Sequence, residues 1–353
     1  MYRSELMQFV HKPDVVEISF PIATPGDLDT PLLRALERAH TSYDLRTDPY
    51  TIDLLHKQKN GYDSTKPLEK LFIGRKTYCN EELRILVRKA QDMADELGPS
   101  AMEWYLHQCI TQLQKKAHVA SDYQLFDTSV QEKQHLLSIL GSLPLSDDAS
   151  RLSMPLSKLS HKVKILIDVL LVESKASSNF TGLIFIEQRV WVATLAQILA
   201  THPRTKNLFR IGTFLGTSNT SKHKENIANL VEPKNQQTTL DDFRAGRINL
   251  ILTTSILEEG IDISSCNSVI CFERPKTLKS FVQRRGRARK QRSKYLIFTP
   301  QGEAVRSSES WQMLEAEMRR EYENHLRLVN EAKKREEEDE ESEDHIFRVP
   351  GTG

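Results

Sequence analysis

Between residues 179 and 300, short apolar runs alternate with helical stretches, and this alternation restricts the fold more than any other feature of the chain. The runs are LIFIEQ, IGTFLG, NLILTT, SVICF and KYLIFT, with helical stretches at 190–201, 235–245 and 277–284 between them. Strands this uniformly apolar are buried on both faces. Separated by helices, they read as a parallel sheet covered on both sides. The expected class is therefore α/β.

The residues before this region have a different period. Leu83, Val87, Ala90, Ala94 and Leu97 recur at spacings of 4, 3, 4 and 3, one stripe of an amphipathic helix. Gly98-Pro99 should end it. Further helices are expected near 100–118, 129–140 and 157–174, with turn chemistry such as LPLSDDAS separating them. Residues 28–178 thus read as a helical bundle. A strand-like segment, VVEISF, precedes it within 1–27 and reads as the tail of an earlier domain. Residues 306–335 read as one long helix with Trp311, Met318, Tyr322, Leu326 and Val329 on one face, so a last division is expected at 304–353.

Net charge is only +1, but the charge is segregated. Residues 283–294 hold seven Arg or Lys in twelve positions, and residues 336–344 hold eight acids in nine. The acidic run reads as a solvated segment. Four cysteines at 79, 109, 266 and 271 lack C-x-x-C spacing, so no zinc or other metal site is expected. Sparse, unpaired cysteine fits a reducing compartment. The longest apolar run, near Ile165–Val172, contains Asp168 and falls far short of the ~20 residues of a membrane span. No signal peptide is visible. A cytoplasmic or nuclear protein without a membrane partner is the expectation.

Two stretches carry chemistry. Gln283-Arg284-Arg285-Gly286-Arg287-Ala288-Arg289 would, in isolation, be a solvated basic patch or a localisation signal. Its place at a helix end just before a strand argues for fixed cations. Arginine offers a permanent charge and a planar fork for phosphate oxygens, suited to charge that develops in a transition state. The second stretch, Thr253-Thr254-Ser255-Ile256-Leu257-Glu258-Glu259-Gly260-Ile261-Asp262, follows the strand NLIL. Its hydroxyls fall at the carboxyl edge of a parallel strand, where such sheets bind ligands. Alone, it also reads as a strand followed by a capped helix.

Together the stretches are more specific. T-S-x-x-E-E-G-I-D followed some twenty residues later by Q-R-R-G-R-A-R resembles motifs V and VI of superfamily 2 helicases. LIFIEQR at 183–189 resembles motif IV, and QQTTLDDFRAGRINLILTTS at 236–255 resembles the approach to motif V. The segment CFERPKTLKSFVQRRGRARK is similar to fungal Dicer-like proteins, and RSELMQFVHKP at 3–13 resembles the end of their first lobe. The resemblance implies a RecA-like second lobe at 179–303, a helicase insertion domain at 28–178 and a remnant of the first lobe at 1–27. It also implies connecting helices after 303, with FRVPGTG resembling the opening of a dimerisation domain.

Function follows from the same resemblance. It implies the C-terminal half of an ATP-dependent motor acting on double-stranded RNA in RNA silencing and antiviral defence. Arg287 and Arg289 would face the γ-phosphate, and Gln283, Gly260 and Asp262 would contact the nucleotide. Gln188, Arg189, Gly216 and Thr254 would contact the RNA backbone, which suits recognition of a duplex by shape. No glycine in the sequence is followed by lysine, so a phosphate-binding loop is absent from these residues. Gly74-Arg75-Lys76-Thr77 is the nearest imitation, with Glu69 where the loop needs glycine. A D-E-x-H box is absent too. ATP and Mg2+ would therefore require a first lobe as partner, from the same parent chain or another. The alternative is a fragment or adaptor that binds RNA and performs no chemistry.

Overall fold

The computed structural model describes residues 12–121, 128–145, 158–215, 236–258, 265–302, and 309–327 apart from 322, 325 and 326. The first strand, β1 (Asp14–Phe20), is followed by a single turn at Pro25–Leu28 and then by helices. These are α1 (Pro31–Thr41), α2 (Pro49–Lys59), α3 (Thr65–Gly74), α4 (Tyr78–Leu97), α5 (Pro99–Ser121), α6 (Thr128–Gly141) and α7 (His161–Ala176). Strands and helices then alternate: β2 (Gly182–Phe185), α8 (Arg189–Thr201), β3 (Ile211–Phe214), α9 (Gln236–Arg244) and β4 (Leu250–Thr253). The series ends with β5 (Ser268–Cys271), α10 (Leu278–Arg285) and β6 (Lys294–Pro300).

Helix starts follow side-chain capping. Thr30, Asp48, Thr77 and Ser160 precede α1, α2, α4 and α7, and each accepts from a backbone N–H two or three residues on. Proline follows the cap in α1 and α2, where its missing N–H costs nothing. The stripe on α4 is buried as expected at Leu83, Ala90, Ala94 and Leu97, with Leu86 and Met93 beside it and Val87 half-buried. Gly98 ends α4 at φ +105°, and a Cβ there would come within 2.5 Å of the Ser160 nitrogen. The chain passes that close because Ser160 N–H donates to the Leu97 carbonyl and its hydroxyl to the Glu96 carbonyl.

Every strand pair is parallel, in the order β1-β6-β5-β2-β4-β3. The α/β class and parallel sheet expected from the sequence are present. Strands β2, β4 and β5 are buried at every residue, as their apolar LIF, LIL and VIC runs require. Strands β1 and β3 lie at the two edges and are only partly buried.

One expectation is corrected. The strand at 14–20 was expected as the tail of a preceding lobe. It pairs along its whole length with β6, Asp14 opposite Lys294 and Phe20 opposite Pro300, and so completes this sheet. Residues 1–11 lie outside the described residues. Helix α7, placed by the sequence in the helical region, is bonded to the sheet. Glu173 accepts from Ser268 Oγ (3.0 Å) and Lys294 Nζ (2.7 Å). One continuous apolar core runs from Leu36 and Leu83 in the helices to Ile184, Leu252 and Phe298 in the sheet.

Residues 275–282 and 304–353 cluster as a second unit. Within it Phe281 stacks on Trp311 at 6.0 Å, and the described residues of 309–327 are helical. Met318, expected on one face of that helix with Trp311, is exposed, whereas Trp311 is buried. Tyr322, Leu326 and Val329 lie outside the described residues.

Candidate functional site

The carboxyl ends of β2 and β4 stand side by side, because Phe185 pairs with Thr253. Past that pair the chain of β2 turns outward. Ile186 N–H donates to the Thr253 carbonyl at 2.8 Å, and Glu187 N–H donates to Glu273 Oε2 at 2.9 Å. Gln188 is then the residue before α8. Its side chain makes no cap hydrogen bond, and its carbonyl accepts from Trp191. Arg189 opens the helix, and both residues are half-buried. Thr254 follows β4 directly and is half-buried, while Thr253 is fully buried and donates its hydroxyl to the Thr254 carbonyl. Gln188, Arg189 and Thr254 are thus gathered at one edge, outside the carboxyl ends of neighbouring strands.

The arginine-rich run behaves differently at each position. Arg284 is buried, with its guanidinium 5.1 Å from the centre of the Phe185 ring and Nη1 3.8 Å from Cys271 Sγ. It braces the sheet from inside. Arg287 is half-buried, and its carbonyl accepts from Cys266 N–H just before β5 begins. Lys290 Nζ donates to the Asn179 carbonyl and to Asn267 Oδ1, again beside the strand starts. Arg289 is exposed and donates Nε to the Gly286 carbonyl; its terminal nitrogens have no partner among the described residues. The run therefore leads from the carboxyl side of β5 toward its amino side. Arg287 and Arg289 are not brought together with Gln188, Arg189 and Thr254. Gln283 sits one turn before Arg287, on α10, half-buried. Gly216, Gly260 and Asp262 lie outside the described residues.

Burial sets the chemistry of the nearby ionisable groups. It pushes the Cys266 thiol up to about 12 against the opposing charges of Lys290 and Arg287. That thiol is inert at neutral pH. All four cysteines are free and buried. Burial also pushes the Glu273 carboxyl up to about 7, opposed by the Lys162 charge and the Glu187 N–H and reinforced by Glu96 and Glu187. Sequence reasoning missed Glu273. Its signal was available, since it follows the strand SVIC by one intervening residue, in the same strand-end setting that singled out Thr254.

Gly74-Arg75-Lys76-Thr77 joins two helices. Gly74 ends α3, Arg75 takes a left-handed φ of +50°, and Thr77 caps α4. No strand leads into it, so its backbone is not that of a phosphate cradle. Among the described residues no three His, Cys, Asp or Glu side chains group as metal ligands, and no helix is long and apolar enough to cross a membrane.

Residues 161–292 match the model of the helicase conserved C-terminal domain, from the first residue of α7 into the basic run. Dicer-like protein 2 of Phaeosphaeria nodorum is 52% identical over 355 aligned residues, covering 100% of this chain and 25% of that protein. Dicer-like protein 2 of Aspergillus fumigatus is 36% identical, covering 97% of this chain and 24% of its own length. Among solved structures, the Pyrococcus furiosus Hef helicase domain aligns at a TM-score of 0.41 with 15% identity, over 84% of this chain and 57% of that one. The chain spans about a quarter of the length of these curated relatives. Over its whole length it is similar to a segment of the fungal Dicer-like proteins, and residues 161–292 match the helicase conserved C-terminal domain.

Proposed function

We propose that this chain supplies the second lobe of an ATP-dependent RNA motor in a Dicer-like parent, acting on double-stranded RNA in RNA silencing. The observation that carries the proposal is the separation of two polar edges on one helicase-family sheet. Gln188, Arg189 and Thr254 occupy the carboxyl edge, with the arginines of 287–289 leading away from it. A lobe that must meet RNA and nucleotide at once needs two such faces.

In this reading Gln188, Arg189, Thr254 and Gly216 hold the RNA backbone. Gln283, Gly260 and Asp262 contact ATP, and Arg287 and Arg289 approach its γ-phosphate. The exposed fork of Arg289 fits a phosphate presented from outside this lobe. When bound between lobes, ATP with Mg2+ supplies the phosphoryl group whose transfer drives movement, and arginines so placed contribute about 10³–10⁵ in rate. Without a first lobe these residues retain only the RNA-binding edge, which is the content of the adaptor reading. A turnover assay separates the two. The chain alone should show no RNA-stimulated phosphate release, and adding a first lobe that carries a phosphate-binding loop should produce it. Persistent silence of the mixture, with RNA binding intact, favours the adaptor.

A further inference from the structure

We infer that Glu273 is a positioning residue whose carboxylate fixes the Ile186–Arg189 turn, with the Glu96–Lys162 pair setting how firmly it does so. The inference rests on the reading of Gln188 and Arg189 as RNA contacts and adds a control to that edge.

Three elements converge here. Glu273 stands just past β5, and its Oε2 accepts the Glu187 N–H at 2.9 Å, one residue before Gln188. Its other oxygen, Oε1, is shielded from solvent and has no hydrogen-bond partner among the described residues. Lys162, in the first turn of α7, is buried with its ammonium 4.1 Å from the centre of the Phe272 ring and 5.0 Å from that of Phe20. It donates to Glu96 Oε2 on α4. A cleft of about 170 Å³, lined by Phe20, Pro300, Glu96, His161 and Lys162, opens beside the pair.

A carboxylate accepts an N–H more strongly than its neutral acid does. Whatever charges Glu273 therefore tightens the turn that presents Gln188 and Arg189. Lys162 favours the charged form, and Glu96 and Glu187 oppose it. Asp95 and His161 line the same cleft, and Arg274 is paired with Glu17 of β1 at 3.7 Å. Lys162 is shared between Glu96 of the helical region and the field at Glu273. A shift of α4 that loosens Glu96 from Lys162 leaves more of that cation to Glu273, and the turn tightens. Position of the helical region is in this way converted into order at the candidate RNA edge.

The experiment follows the 353-residue chain from pH 6 to 8 by two readouts. One is hydrogen exchange of the peptide containing Glu187, corrected for intrinsic rates. The other is affinity for a short blunt RNA duplex. For openings of the turn that leave Glu273 buried, both protection and affinity should rise with pH, by roughly fivefold, the difference between a charged and a neutral acceptor. Histidine titration would move RNA affinity the opposite way, and His161→Gln should leave the slope in place. Glu273→Gln should flatten both curves. Glu96→Gln should move the midpoint down and Lys162→Met should move it up, opposite shifts that loss of packing would not give. Protection that ignores pH, or a slope that survives Glu273→Gln, overturns the inference. Protection that follows Glu273 while Arg189→Ala leaves duplex affinity unchanged supports the positioning role and defeats the RNA reading instead.

Discussion

Arg284 and Arg287 are three residues apart in one basic run, yet the first lies inside the protein and the second at its margin. Phe185 and Cys271 enclose the Arg284 guanidinium. Removing an enclosed arginine leaves its cavity and stranded partners, so Arg284→Ala should cost on the order of 2–4 kcal/mol in urea unfolding. Arg289→Ala, at an exposed position, should stay within about 0.5 kcal/mol. Equal losses would mean that the run is a uniform basic surface. Glu273 gives a second residue-scale expectation. Its folded pKa of about 7 lies above the ordinary 4.5. Stability from this group is therefore complete below about pH 4.5 and is lost as pH rises through about 7. Glu273→Gln should remove that decline and raise the thermal midpoint at pH 8 relative to the unsubstituted chain. An unchanged pH profile would place the carboxyl in contact with water.

At the scale of elements, the sheet interior was legible and its edge was not. Three consecutive apolar residues in each of β2, β4 and β5 have no alternative to burial, so LIF, LIL and VIC announce central strands. The strand at 14–20 carries no such mark of its partner. Its pairing with β6 joins residues far apart in sequence, and only the assembled register shows it. Glu273 was marked in the sequence only by its place just past β5; the Glu187 N–H that it accepts is visible only in the folded chain. Helix α7 was read correctly as a helix, but its attachment depends on Glu173 meeting Ser268 and Lys294. The close passage at Gly98 joins α4 to the start of α7. Gly98→Ala combines a left-handed φ with a Cβ 2.5 Å from the Ser160 nitrogen. It should destabilise the chain by about 1–3 kcal/mol. A neutral result would show that the α4–α7 junction yields easily.

For the molecule as a whole, the chain matches about a quarter of a Dicer-like protein, and the proposed motor needs a first lobe besides these residues. RNA held by one lobe through phosphate contacts should bind weakly and with steep salt dependence, log affinity falling with log salt by about 0.7–0.9 per neutralised phosphate. Thr254→Val should weaken RNA stimulation in a reconstituted motor while sparing basal turnover, since its place is the carboxyl edge shared with Gln188. The central claim is that the parallel sheet with its covering helices works as a second motor lobe, and the most direct measurement is ATP turnover by this chain mixed with a first lobe, comparing Arg287 with Arg287→Lys. Lysine keeps the charge and loses the fork. Turnover should appear on mixing and fall by most of its value in the lysine variant; turnover unaffected by that substitution would contradict the assignment of Arg287 to the γ-phosphate.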